Sequence, residues 1–213
     1  MDGITVPMAI VDFIPVVLFF VAAVILQRDL YNKLVKGAFA LLAAGSIMVF
    51  IGGFYKATWK FLIALNICNF EALNTSLFPM QGPGFVLVFL GLTALKKKDF
   101  GAPTALAVAP VLYKSNLIFI IMQVIGFGGI QYCMVRTALL MKKRLAAVLF
   151  VLSFIFVLGM GYLGAKFDDT SGMNWIAQVT NILSEGCFLG GVLILHKAGL
   201  AEIKESGLVE IRE

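Results

Sequence analysis

The sequence predicts an all-α fold: a polytopic transmembrane helix bundle, with seven helices preferred over six or eight. Three observations predict it. Apolar residues make up 61% of the 213 and charged residues 14%, against roughly 45–50% and about 25% in ordinary soluble chains. Mean hydropathy is +0.97. Several apolar runs reach about 20 residues, the length a helix needs to cross roughly 30 Å of hydrocarbon. So few charges cannot shield that much apolar surface from water, whereas a bilayer is itself an apolar solvent.

The first run, residues 7–27, follows Asp2 rather than a basic leader and precedes no small-residue cleavage site. It reads as a permanent helix, not a removable signal peptide. Residues 37–56 form the second span. Residues 57–95 are apolar but too long for one straight crossing, and Phe78-Pro79-Met80-Gln81-Gly82-Pro83-Gly84 interrupts them. They make one net crossing, the third helix, broken at that segment. Residues 101–113, with Pro103 and Pro110, form a short fourth helix. Residues 116–140, 145–165 and 172–196 supply the remaining three. Residues 1–197 are thus one helical bundle, and 198–213 a cytoplasmic tail, amphipathic or frayed.

Charge decides the threading. The loops Arg28 to Lys36, Lys96 to Lys98 and Arg136 to Arg144 hold three, three and four Lys/Arg, while the opposite set is Lys56, Lys60, Lys114 and Lys166. Basic loops favour the cytoplasmic side. That rule puts the N-terminus outside and the C-terminus in the cytoplasm, in a plasma or bacterial-type inner membrane. It also requires an outward crossing at 101–113. The net charge of +5 is therefore a topology signal, and nucleic acid is not an expected partner.

A faint internal repeat fits this count. Arg28 and Lys36 recur as Arg136 and Arg144, and Ala38, Gly53 and Phe54 as Ala146, Gly161 and Tyr162. Three residues out of register, Asn69-Phe70, Ala72 and Thr75 match Asn174-Trp175, Ala177 and Thr180. Helices one to three would repeat as five to seven in the same orientation, a 3+1+3 parallel plan known among transporters. In layout alone this plan is similar to the SWEET-type sugar transporters, and seven helices with an outer N-terminus resemble the rhodopsins. The signature motifs of neither family occur.

Polar side chains inside apolar helices carry the most information, because each costs several kcal/mol without a partner. On the last helix Asn174, Gln178, Asn181 and Glu185 are spaced four, three and four. At 100° per residue they fall in a stripe about 60° wide. They read as a hydrated site or as interhelical glue. The third helix adds Asn66, Asn69, Glu71, Asn74 and Thr75, with Gln81 in the break; the alternative is an amphipathic segment at the outer surface. Asp12 reads as a site acid or an outer-rim charge. Gln123 and Gln131, beside Gly126, Gly128 and Gly129, mark close packing. Asp12, Glu71 and Glu185 are the intramembrane acids, with no Lys or Arg expected at their depth. Uncompensated acids call for a proton, a cation or a positively charged ligand.

Several chemistries are unsupported. His196 is the only histidine, so no histidine-based zinc site is expected. Ser184 and His196 stand about 18 Å apart along one helix and cannot pair for catalysis. Cys68, Cys133 and Cys187 lie in apolar runs without a CxxC pair. No phosphate-binding loop occurs. No cofactor is expected, and an enzyme using Glu71 and Glu185 is unmotivated. The leading expectation is a proton- or cation-coupled transporter of a small polar or cationic molecule. Its outward-opening cavity would lie between the third and last helices. Glu185 and Glu71 would hold the ion, and Asn174, Gln178, Asn181, Asn69, Asn74, Gln81 and Asp12 would complete the site, with Trp175 or Phe70 stacking on the substrate. The alternatives are a membrane receptor or sensor, and a ligand-binding subunit of a larger transporter. An oligomer is compatible with each.

Overall fold

The computed structural model describes residues 4–93, 116–165 and 171–202. They form eight helices: α1 (Val6–Val11), α2 (Phe13–Leu30), α3 (Lys36–Ala64), α4 (Glu71–Thr75), α5 (Leu77–Thr93), α6 (Leu117–Leu140), α7 (Arg144–Ala165) and α8 (Ser171–Lys197). A 3-10 turn follows at Leu200–Glu202. Among the described residues, six helices are long and apolar enough to cross a membrane: Val6–Leu30, Lys36–Ala64, Glu71–Thr93, Leu117–Leu140, Arg144–Gly164 and Gly172–Lys197. The protein is an all-α multipass membrane protein. The predicted fourth helix at 101–113, Lys166 to Asp169 and the tail beyond Glu202 lie outside the described residues.

Local chemistry explains the breaks. Pro15 has no N–H for the Val11 carbonyl, and the first span is interrupted at Asp12, between α1 and α2. α3 runs on to Ala64 and ends where Asn66 adopts φ 55°. The Asn66 N–H bonds Ile63 O and the Ile67 N–H bonds Leu62 O, the paired bonds of a Schellman stop. Lys142 repeats this at φ 56°, with bonds to Leu139 O and from Lys143 to Ala138 O, turning α6 into α7.

In two places the structure departs from the sequence-based expectation. The break expected at 78–84 does not occur: Pro79, Gly82, Pro83 and Gly84 all lie within α5. Pro79 falls in the first turn, where no intrahelical donor is needed. The two glycines serve packing. A Cβ on Gly82 would come within 2.6 Å of Phe119 O, and one on Gly84 within 3.0 Å of Gly45 O. The break sits at 65–70 instead. Lys56 and Lys60, expected in an outer loop, lie inside α3.

Successive spans pack on one another and α8 packs back on α2, closing a ring. The contacts fix the directions. Ala38 and Leu42 face Gly91, and Gly52 faces Leu77 to Gln81, so α3 and α5 are antiparallel. Gly82 meets Phe119, Gly126 meets Phe85, and Gly129 meets Phe89, so α5 and α6 are parallel. Gln178 reaches Met8, Phe188 stacks on Phe19, and His196 meets Asp29, so α2 and α8 are parallel as well. Thr93 therefore sits at the Leu30 end of the bundle and Leu117 at the Val6 end. Gly53 and Gly161, equated by the repeat, differ in surroundings: Gly53 abuts Val16 and Gln81, whereas Gly161 has open space.

Candidate functional site

The polar stripe of α8 points into protein. Asn174, Gln178 and Glu185 are buried and Asn181 is partly buried, while Ile176, Val179 and Leu183 on the opposite face are exposed. Trp175 is off the stripe and 38% exposed. The stripe meets α1 and α2 rather than the third span. The Gln178 side-chain amide donates to the Met8 carbonyl at 2.9 Å. That carbonyl also accepts the Asp12 backbone N–H at 3.1 Å. About two helical turns further along α8, Glu185 is 8% exposed, and its Oε2 has no hydrogen-bond partner among the described residues.

Beside the stripe lies a polar chain that sequence reasoning missed. Ser184 Oγ donates to the Ser153 carbonyl at 3.0 Å, and the two hydroxyls stand 3.4 Å apart. Gln131 Nε2 donates to Ser153 Oγ at 3.2 Å. Both serines are fully buried. A signal for the Gln131–Ser153 contact existed: each residue lies eleven positions from Lys142, at the tip of the α6–α7 hairpin. The oxygens Gln131 Oε1, Gln178 Oε1 and Glu185 Oε2 are buried without partners among the described residues. All three are acceptors.

The remaining expected residues fall elsewhere. Asn69 and Glu71 are exposed in and after the turn at the Val6 end, and Asn74 is partly buried in α4. Trp59 Nε1 donates to Asn69 Oδ1 at 2.9 Å, and Asn69 Nδ2 donates to Glu71 Oε1 at 3.4 Å. α4 packs on α3 and α5, not on α8. Gln81 joins three helices: its amide donates to Val49 O on α3 and its Oε1 accepts from Gln123 on α6, both at 3.4 Å. Asp12 is not an uncompensated acid. Its Oδ2 lies 2.7 Å from Lys60 Nζ, each side chain 12% exposed. The expectation that no lysine lies at its depth is thereby overturned. Lys56 stands one turn from Lys60 on the same face and interacts electrostatically with both.

No protein-family model, no curated protein and no solved structure matches the chain.

Among the described residues no three His, Cys, Asp or Glu side chains gather as metal ligands. What remains is the buried Glu185 carboxylate, a second buried carboxylate, Asp29, held by His196, amides and hydroxyls on α6, α7 and α8, and an Asp12–Lys60 pair that joins the kink of the first span to α3. The buried side-chain atoms without partners among the described residues are all acceptor oxygens, that of Glu185 included. Such a group can hold a proton, a small cation or a molecule rich in N–H and O–H.

Proposed function

We propose that the protein is a proton- or cation-coupled transporter of a small polar or cationic molecule. Its site would lie along the seam of α8 with α1 and α2. The Val6 end faces outside and the C-terminus the cytoplasm, as the distribution of Lys and Arg favours. Glu185 is the coupling acid. Gln178, Asn181 and Asn174 hydrogen-bond the substrate on its outer side, and the Asp12 kink gives the first span a point at which to bend. Gln81 and Gln123 border the same interior, while Asn69, Glu71 and Asn74 form the outer rim.

The observation that carries this reading is the buried Glu185 Oε2 without a partner among the described residues. A carboxylate kept inside a bundle without a hydrogen bond costs stability and is characteristic of functional positions in membrane helices. In proteoliposomes, substrate flux should respond to an imposed pH or cation gradient and lose that response in Glu185→Gln. Gradient-independent flux in both proteins would reject the coupling.

A second reading, a ligand-binding sensor or transporter subunit, is favoured by one feature. The middle of the bundle is filled by Phe19, Phe85, Phe127 and Phe188, whose rings pack on one another. Saturable binding without flux in the same vesicles would select it.

A further inference from the structure

Four spans, α2, α5, α6 and α8, run in one direction, and each sends one phenylalanine to the centre. Phe19, Phe85, Phe127 and Phe188 are all buried. Their rings close a cycle, with centroids 6.2 Å apart for Phe19–Phe85, 5.2 Å for Phe85–Phe127, 6.1 Å for Phe127–Phe188 and 6.3 Å for Phe188–Phe19. Two of these links join helices that pack directly, α5 with α6 and α8 with α2. The other two join α2 to α5 and α6 to α8, which are not main packing neighbours. The rings thus fill a space that the backbones leave between them.

The two sides of the cycle differ in chemistry. Because the four helices are parallel, a residue one turn before each phenylalanine lies on the Val6 side. Those positions include Gln81 before Phe85, Gln123 before Phe127 and Glu185 before Phe188. One turn after the rings come Ala23, Val88, Ile130 and Val192, all buried and apolar, with Gln131 beside Ile130 bonded to Ser153 on α7. At the offset that carries Arg28 onto Arg136, Phe19 falls on Phe127, so an axis relating the two halves of a 3+1+3 repeat would pass through the cycle.

The geometry points to this phenylalanine quartet as the closed gate of the transport path, with the polar outer vestibule ending at it. The inference rests on the transport reading and locates the barrier within it. An apolar constriction backed by a second apolar layer excludes ions by dewetting, with no charge needed. Phenylalanine suits this role because two rotatable bonds let a large ring swing aside while its helix stays in place.

The test uses the full chain in proteoliposomes containing a pH-sensitive dye, with a potassium–valinomycin potential driving protons inward and no substrate present. Phe127→Ala/Phe188→Ala should raise proton entry on the order of tenfold by removing the dewetted layer. Phe20→Ala, a lipid-facing ring 48% exposed, should match the wild type. A folded, monodisperse double variant as tight as the wild type would overturn the gate.

Should the double variant fail to fold, cysteine reactivity serves instead. In a chain with Cys68, Cys133 and Cys187 replaced, Glu185→Cys should react with an external membrane-impermeant thiol reagent and Val192→Cys should not. Equal reactivity would overturn the proposal. The leak requires neither substrate nor Glu185. A leak with gradient-independent flux would thus keep the gate and reject the coupling acid, and Glu185-dependent flux without a leak would do the reverse.

Discussion

Gln178 on α8 and Met8 on α1, 170 residues apart, are joined by a 2.9 Å hydrogen bond that ties the last span to the first. Two further ties follow along the same seam. Phe188 stacks on Phe19, and His196 Nδ1 lies 2.9 Å from Asp29 Oδ2 at the Leu30 end. Glu185 lies between the first tie and the second. The candidate site is thus held on a seam pinned above and below, which orients its helix without engaging its carboxylate.

The Gln178 tie is modest in energy. Met8 O keeps its bond from the Asp12 N–H when the amide is removed. Gln178→Leu should therefore cost roughly 0.6 kcal/mol, the average for hydrogen bonds between membrane helices, and no more than about 1.7. Thermal unfolding in detergent reads this directly. A larger loss would make Gln178 a structural keystone rather than a substrate ligand.

Asp12 has two lysines within reach. Removing Lys60 lets Lys56, one turn away, take over the pairing, whereas Asp12→Asn leaves two cations facing each other in a poorly solvated place. Asp12→Asn should thus destabilise more than Lys60→Met, approaching the ~3–5 kcal/mol typical of broken buried pairs. Asp12→Asn/Lys60→Met should recover most of the loss. Equal costs for the two single variants would mean that the pair is effectively exposed.

Parallel α5 and α6 make a topological prediction. With the Val6 end outside, as proposed, Cys68, exposed in the turn at that end, should react with an impermeant maleimide in intact cells. A cysteine replacing Lys142, at the opposite end, should react only after permeabilisation. Labelling of both from the same side would contradict the packing of Gly82 on Phe119 and Gly129 on Phe89.

The glycines divide into two groups. A Cβ on Gly45 would come within 2.5 Å of Gly84 O, and one on Gly126 within 2.6 Å of the Phe85 and Val86 backbone. Gly45→Ala and Gly126→Ala should force helices apart and lower the melting temperature. Gly161 has nothing within 4 Å, so Gly161→Ala should stabilise by up to about 1 kcal/mol through helix propensity. A loss on Gly161→Ala would show that another surface covers that face.

The spans were legible in the sequence because hydropathy and length are local properties, and the α8 stripe because one helix carries it. The end of α3 was not. Pro79, Gly82, Pro83 and Gly84 have the composition of a break, yet tight packing against Gly45 and Phe119 holds them helical. The turn depends on Asn66 entering the left-handed region, a choice that many residues can make. Counting Lys60 as a loop charge hid its bond to Asp12. The third span starts at Glu71, about four turns later than the expected start at residue 57, which leaves Asn66 and Asn69 in the turn before it. The Phe19–Phe188 stack and the Asp29–His196 contact join opposite ends of the chain, and no local pattern announces either.

Glu185 allows the sharpest test, because its two readings predict opposite signs. If it is structural glue, its removal breaks a bond and the bundle weakens. Its Oε2 makes no bond among the described residues, however, and a buried unpaired oxygen costs stability on its own account. Glu185→Leu should therefore leave the melting temperature unchanged or raise it, while abolishing the response of flux to an ion gradient. Glu185→Gln, which keeps the shape and removes the charge, should behave likewise. A gain in stability joined to a loss of function is the mark of a group retained for its chemistry. Destabilisation by Glu185→Leu would instead assign the carboxylate to the architecture of the α2–α8 seam.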